Sequence, residues 1–111
     1  MERRRREALR QRLLAMKAEI EALGAQNDTD RRTVELDQQS VGRLSRMDAL
    51  QVQAMAQETR RRRQRELARI AAALALIEEG EFGWCRKCGE AISDARLEID
   101  PAAPLCVDCA R

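Results

Sequence analysis

Apolar side chains recur along this chain in two long stripes. Leu9, Leu13, Met16, Ile20 and Leu23 are separated alternately by four and three residues, the a/d spacing of a helix whose apolar seam needs a partner. This predicts one amphipathic helix over residues 1 to about 26, with Gly24 and Asn27 as its stop signals. Through residues 27–44 the pattern weakens, and Asn27, Asp28, Thr29 and Asp30 are turn-forming and helix-starting side chains, so a turn is expected there. Ser45 with Asp48 three residues later has the form of a capping box. A second helix is expected from Ser45; a start at Thr33 is the alternative and places Gly42 inside a helix at a cost of about 1 kcal/mol relative to Ala.

From Ser45 no Pro or Gly occurs before Gly80, so the second helix has about 35 residues and a length of about 50 Å. Near the turn, Met47, Leu50, Ala54 and Met55 are expected to meet Leu23, Ile20 and Met16 across an antiparallel hairpin. The four Arg residues 60–63 interrupt the stripe, and Leu67, Ile70, Leu74 and Ile77 resume it. A first helix ending near residue 26 cannot reach this last group. The segment after Gly80, with Phe82, Trp84, Ile92, Leu97, Ile99 and Leu105, is expected to bury it.

Composition narrows the fold class. Of 111 residues 44% are apolar, yet Trp84 and Phe82 are the only aromatics, so Ala and Leu must do the packing. With 36% charged residues and Ala, Glu, Leu, Arg and Gln predominating, the chain has the composition of long helices, and a β-sandwich or Rossmann fold is excluded. The expected fold is mainly α: a long antiparallel helical hairpin, or coiled coil, over residues 1–79 with its tip near 27–45, followed by a small four-cysteine zinc module over residues 80–111. A monomer is expected, with self-association through an exposed seam as the alternative.

A net charge of +2 gives no whole-surface attraction to nucleic acid or membrane. The absence of His removes Ser–His and Cys–His dyads and the ordinary near-neutral acid–base group, so an enzyme is not expected. There is no apolar run of about 18 residues and no apolar signal core after the charged N-terminus; no membrane partner and a cytoplasmic location are expected. The Arg runs at residues 3–6 and 60–63 spread around their helices, and solvated pairs such as Glu2 with Arg6 and Arg62 with Glu66 are expected.

The chemistry lies in the cysteines. Cys85 and Cys88, then Cys106 and Cys109, form two C-x2-C pairs separated by 17 residues, inside the range of structural zinc sites. Two residues between ligands let a tight turn aim both sulfurs at one ion, and two such knuckles complete a tetrahedron with no open position. In a reducing cytoplasm metal ligation is favoured over disulfides, and a redox C-x2-C would need a βαβ unit that this chain cannot supply. A module of fewer than about 40 residues commonly uses a metal in place of a core. One structural Zn²⁺ is expected.

Phe82, Gly83, Trp84 and Cys85, then Cys88, Gly89, Ile92, Arg96, Leu97, Pro101, Cys106 and Cys109, resemble the signature of the DksA/TraR family of bacterial transcription regulators. The match is dense across residues 78–109 and one of pattern only over 1–77. The resemblance implies a protein that binds RNA polymerase rather than DNA, inserting its coiled coil through the secondary channel toward the catalytic centre and altering initiation. The family's tip carries two Asp three residues apart, and counting back from the first Cys puts them on Gly42 and Ser45, so the tip here is altered. Asp37 and Asp48 lie nearby, and with Gly42, Arg43, Ser45 and Arg46 they form the candidate tip contacts. The alternative is a direct nucleic-acid-binding zinc protein, against which stand the balanced charge and the lack of stacking aromatics.

Overall fold

Two long helices set the architecture of the computed structural model, which describes the backbone of residues 1–41 and 46–111 and the side chains of 1–25 and 46–111. Helix α1 spans Arg3–Val41, α2 Arg46–Glu79, α3 Asp94–Ile99 and α4 Val107–Ala110. The radius of gyration is 19.0 Å and the extents are 58 × 28 × 21 Å. A compact domain of this length has a radius near 13 Å, so the molecule is a rod.

The turn expected at residues 27–30 is not there: α1 runs through Gly24 and through 27–30 to Val41. The local signals were real but small. A helical Gly costs about 1 kcal/mol and Asn, Asp or Thr less, while stopping would leave the first half of α2 without a partner. Gly24 is a site of close approach rather than a stop, because a Cβ there would sit 3.1 Å from a guanidinium nitrogen of Arg63. Counting outward from the 42–45 connection, 17 residues separate Val41 from Gly24 and 17 separate Arg46 from Arg63. The antiparallel register therefore runs without a slip.

That register revises the seam. It sets Ile20 level with Leu67 instead of beside the tip, and Met47, Leu50 and Met55 are 71%, 60% and 72% exposed. Leu23 is half-exposed as well. The inward row of α2 is Ala49, Ala56, Arg63, Ile70 and Ile77, a seven-residue repeat that is half-buried or buried throughout. Small Ala side chains occupy its tip half, and the larger Met47, Leu50 and Met55 lie outside the seam.

The start of α2 at Arg46 agrees with the expected start near Ser45, although Ser45 lies outside the described residues. Its end is a Schellman motif: Glu81 N–H donates to the Leu76 carbonyl at 2.9 Å, Gly80 N–H to that of Ile77 at 3.2 Å, and Gly80 has φ +75°. Only Gly adopts that conformation without strain.

Beyond Gly80 the chain folds back on the base of the hairpin. Leu9, Leu13, Ile70 and Ala73 share one core with Phe82, Cys85, Ile92, Leu97 and Ala102. The last turns of α2 are thus covered by the start of α1 and by the cysteine module together. Phe82, Ile92 and Leu97 bury as expected, whereas Trp84 is 50% and Ile99 85% exposed.

Candidate metal centre

The first knuckle is a tight turn closed by Cys85 N–H to the Glu90 carbonyl (2.8 Å) and Gly89 N–H to the Cys85 carbonyl (3.0 Å). Gly89, at φ +77°, makes the reversal possible. The second knuckle opens α4, with Cys106 at the N-cap and Cys109 one turn on. Arg86 N–H donates to the Pro104 carbonyl at 2.9 Å and ties the two knuckles together.

Between them stands α3, capped by Ser93, whose hydroxyl accepts from Arg96 N–H at 3.3 Å. The Arg96 side chain reaches forward and donates from Nε to the Leu105 carbonyl at 2.7 Å, fixing the residue before Cys106. The hairpin grips α3 from both sides. Arg5 of α1 pairs with Asp94 at 3.1 Å and Glu98 at 3.5 Å, Arg12 reaches Glu98 at 3.9 Å, and Arg69 of α2 pairs with Asp100. Burial works to lower the Arg69 pKa, but hydrogen bonds to Asp100 and Glu66 outweigh it and the net shift is upward.

As a result four sulfurs, from Cys85, Cys88, Cys106 and Cys109, lie within 4.8 Å of one another, with Cys88 and Cys106 Sγ 3.8 Å apart. A tetrahedron with Zn–S bonds of about 2.3 Å has edges of about 3.8 Å, so the spacing suits zinc. Electrostatics point the same way. Backbone N–H groups, chiefly those of Cys88 and Cys106, pull the Cys85 thiol down to about 6. Cys109 is pushed up to about 12, first by the Cys106 sulfur and then by that of Cys88. For Cys88 the Glu90 amide acts downward, and the Cys85 sulfur and desolvation carry the net shift upward. One thiolate forms readily and its neighbours resist, and a divalent cation removes that resistance. The donor set fits one structural zinc ion, and four protein ligands leave no position for substrate.

The tip residues do not join this centre. Arg46 and Asp48 are exposed in the first turn of α2, about 50 Å of helix away from Gly80. Asp37 lies on the α1 backbone with its side chain outside the described residues, and Gly42, Arg43 and Ser45 also fall outside them.

Residues 80–111 match the prokaryotic dksA/traR C4-type zinc finger. The RNA polymerase-binding transcription factor DksA of Caulobacter vibrioides is 32% identical over 105 residues, which cover 95% of this chain and 72% of that protein. The chain belongs to the DksA/TraR family. A second relative, the RNA polymerase-binding transcription factor DksA of Haemophilus influenzae, is 43% identical over 50 residues, 45% of this chain and 34% of that protein; the matched segment spans about a third of that relative's length. The solved structure of transcription factor DksA2 from Pseudomonas aeruginosa superposes with a TM-score of 0.73 at 26% identity, covering 99% of this chain and 83% of that one. The DksA/TraR resemblance read from the cysteine module therefore extends over the hairpin.

The clamps on α3 escaped the sequence reading. Ser93 followed by Asp94 is a legible helix start, but Arg5 and Asp94 are 89 positions apart, and no local pattern joins them. The pairs expected within helices are also replaced: Arg62 pairs with Glu58, Glu66 with Arg69, and Glu2 contributes its backbone carbonyl to Arg6 N–H.

Proposed function

We propose that this chain is a cytoplasmic transcription regulator, not an enzyme, that binds RNA polymerase and enters its secondary channel with the hairpin. The observation that carries the reading is the match over nearly the whole chain to a relative named for RNA polymerase binding. The architecture suits it, since a rod 58 Å long can present its tip deep in a channel while the base stays outside. Cys85, Cys88, Cys106 and Cys109 hold one Zn²⁺, which acts structurally by fixing α3 and, through Arg5, Arg12 and Arg69, the base of the hairpin. Asp37, Gly42, Arg43, Ser45, Arg46 and Asp48 are the tip contacts, and Gly42 and Ser45 stand where the family's tip carries Asp, so docking is separated from effect.

Competition tests this. The zinc-loaded protein is expected to displace a labelled secondary-channel protein from bacterial RNA polymerase in a saturable way. The double change Gly42→Asp, Ser45→Asp is expected to leave displacement unchanged while altering transcription from an initiation-sensitive promoter. No displacement, together with salt-sensitive binding to random DNA, would replace the reading with direct nucleic-acid binding.

A further inference from the structure

Arg63 breaks the pattern of the helix it belongs to. The inward row of α2 is Ala49, Ala56, Arg63, Ile70 and Ile77, and the guanidinium side chain stands half-buried in the middle of it. Its neighbours on α2 are paired: Arg61, Arg62 and Arg65 reach Glu58 at 3.8, 3.4 and 3.3 Å, and Arg69 reaches Glu66 and Asp100. Among the described residues no carboxylate pairs with Arg63.

Its contact is Gly24, the only Gly between Arg3 and Val41. A Cβ at Gly24 would lie 3.1 Å from Nη1 and 3.9 Å from Cδ of Arg63, so the side chain crosses α1 where α1 has no side chain of its own. Gly is unfavourable inside a helix, and a charge without a counter-charge is unfavourable in a helical seam. The two costs meet at one point of the hairpin.

The register they mark has no near rival. Shifting α2 by one heptad toward the base sets Arg63 level with Lys17, and by one heptad toward the tip level with Arg31. Both shifts replace the open backbone of Gly24 with a second cation, and like charges at close quarters repel. Two copies joined through their α2 rows about this point set Arg63 against Arg63, with Arg60, Arg61 and Arg62 alongside. Ala49 and Ala56 do not supply this discrimination, because so small a side chain fits against almost any seam.

We infer that Arg63 is the selector of the hairpin: its guanidinium over Gly24 admits one register of α2 on α1 and rejects the α2 helix of a second copy. A single polar residue at a seam position trades stability for register and oligomer state in coiled coils. With an apolar side chain at position 63 the inward row becomes an uninterrupted stripe, open to a second chain. The inference stands apart from the polymerase reading, since it concerns only how the helices of this chain choose their partner.

Arg63→Met removes the charge and keeps an unbranched side chain that can still lie over Gly24. Zinc-loaded wild type is expected to sediment as a monomer from about 1 to about 100 μM, and Arg63→Met to form a dimer within that range. The chain has five Gly, so the Gly24 amide is readily assigned by NMR; one resonance is expected in the wild type and more than one in Arg63→Met. Either change supports the selector. Helical circular dichroism of Arg63→Met is expected to resist urea at least as well as that of the wild type, because the seam has lost a charge and not a partner. Arg63→Lys keeps a cation at the same place and is expected to match the wild type in sedimentation and in its single Gly24 resonance. An Arg63→Met protein that stays monomeric with one Gly24 resonance overturns the inference. So does one that loses its helical dichroism, since Arg63 then holds the hairpin together rather than selecting its register. A wild type that dimerises as tightly as Arg63→Met, or an Arg63→Lys protein that dimerises like it, overturns the inference as well.

Discussion

Replacing Leu97 by Ala tests whether the hairpin and the zinc module fold as one unit. Leu97 is the apolar centre of α3, with 0% of its surface exposed, and it shares a core with Leu9 and Leu13 of α1 and Ile70 of α2. Truncation removes three carbons at about 0.8 kcal/mol each, roughly 2.4 kcal/mol of transfer free energy. The cavity adds to this because α3 is held at both ends by Arg5 and Arg69 and cannot collapse into the gap. A total of about 3 to 4 kcal/mol is expected, a large share of a small domain's stability. The assay is urea unfolding of the zinc-loaded protein followed by two probes, Trp84 emission for the module and circular dichroism for the hairpin. With an m-value near 1.5 kcal/mol/M, both midpoints are expected to fall by about 2 M together. A fall in the fluorescence midpoint with the dichroism midpoint unmoved would refute the shared core. A change under about 1 kcal/mol on both probes would refute the burial of Leu97.

Elemental analysis of protein purified under reducing conditions is expected to find one zinc per chain, and Cys88→Ser to lose it along with the Trp84 environment; a metal-free protein with two disulfides would contradict the zinc centre. Gly24→Ala removes the roughly 1 kcal/mol penalty of a helical Gly and displaces only the mobile end of Arg63, 3.1 Å from the new Cβ, so urea unfolding should show stabilisation of up to about 1 kcal/mol; destabilisation would mean that Arg63 cannot yield. Glu58 is held below the usual carboxylate range, first by its hydrogen bond from Arg65 and then by the charges of Arg65 and Arg62 beside it. Its contribution is therefore present above the ordinary Glu pKa and lost as pH falls through the depressed value, and in Arg65→Ala an NMR titration should find the midpoint moved up; an unmoved midpoint would show that the cluster does not form.

What the sequence determined by itself was local and strongly patterned. Four Cys in two C-x2-C pairs bring their sulfurs together because each pair closes within one tight turn, and the geometry they form is the one their spacing implied. Gly80 ended α2 where it was expected, because Gly, having no Cβ, takes a positive φ without steric cost. The stripe of Leu9, Leu13, Met16 and Ile20 pointed correctly to an inward face of α1. Tertiary structure decided the rest. Residues 27–30 carry turn signals worth fractions of a kcal/mol each, too little to end a helix that has a partner along its length, so the connection moved to 42–45 and the register moved with it. That displacement turned Met47, Leu50 and Met55 outward and left the tip seam to Ala49 and Ala56, a choice between two periodic stripes of one helix that only the partner could make. The guanidinium clamps on α3 join positions 31 to 93 residues apart, and such pairs exist only once the chain has folded back on itself.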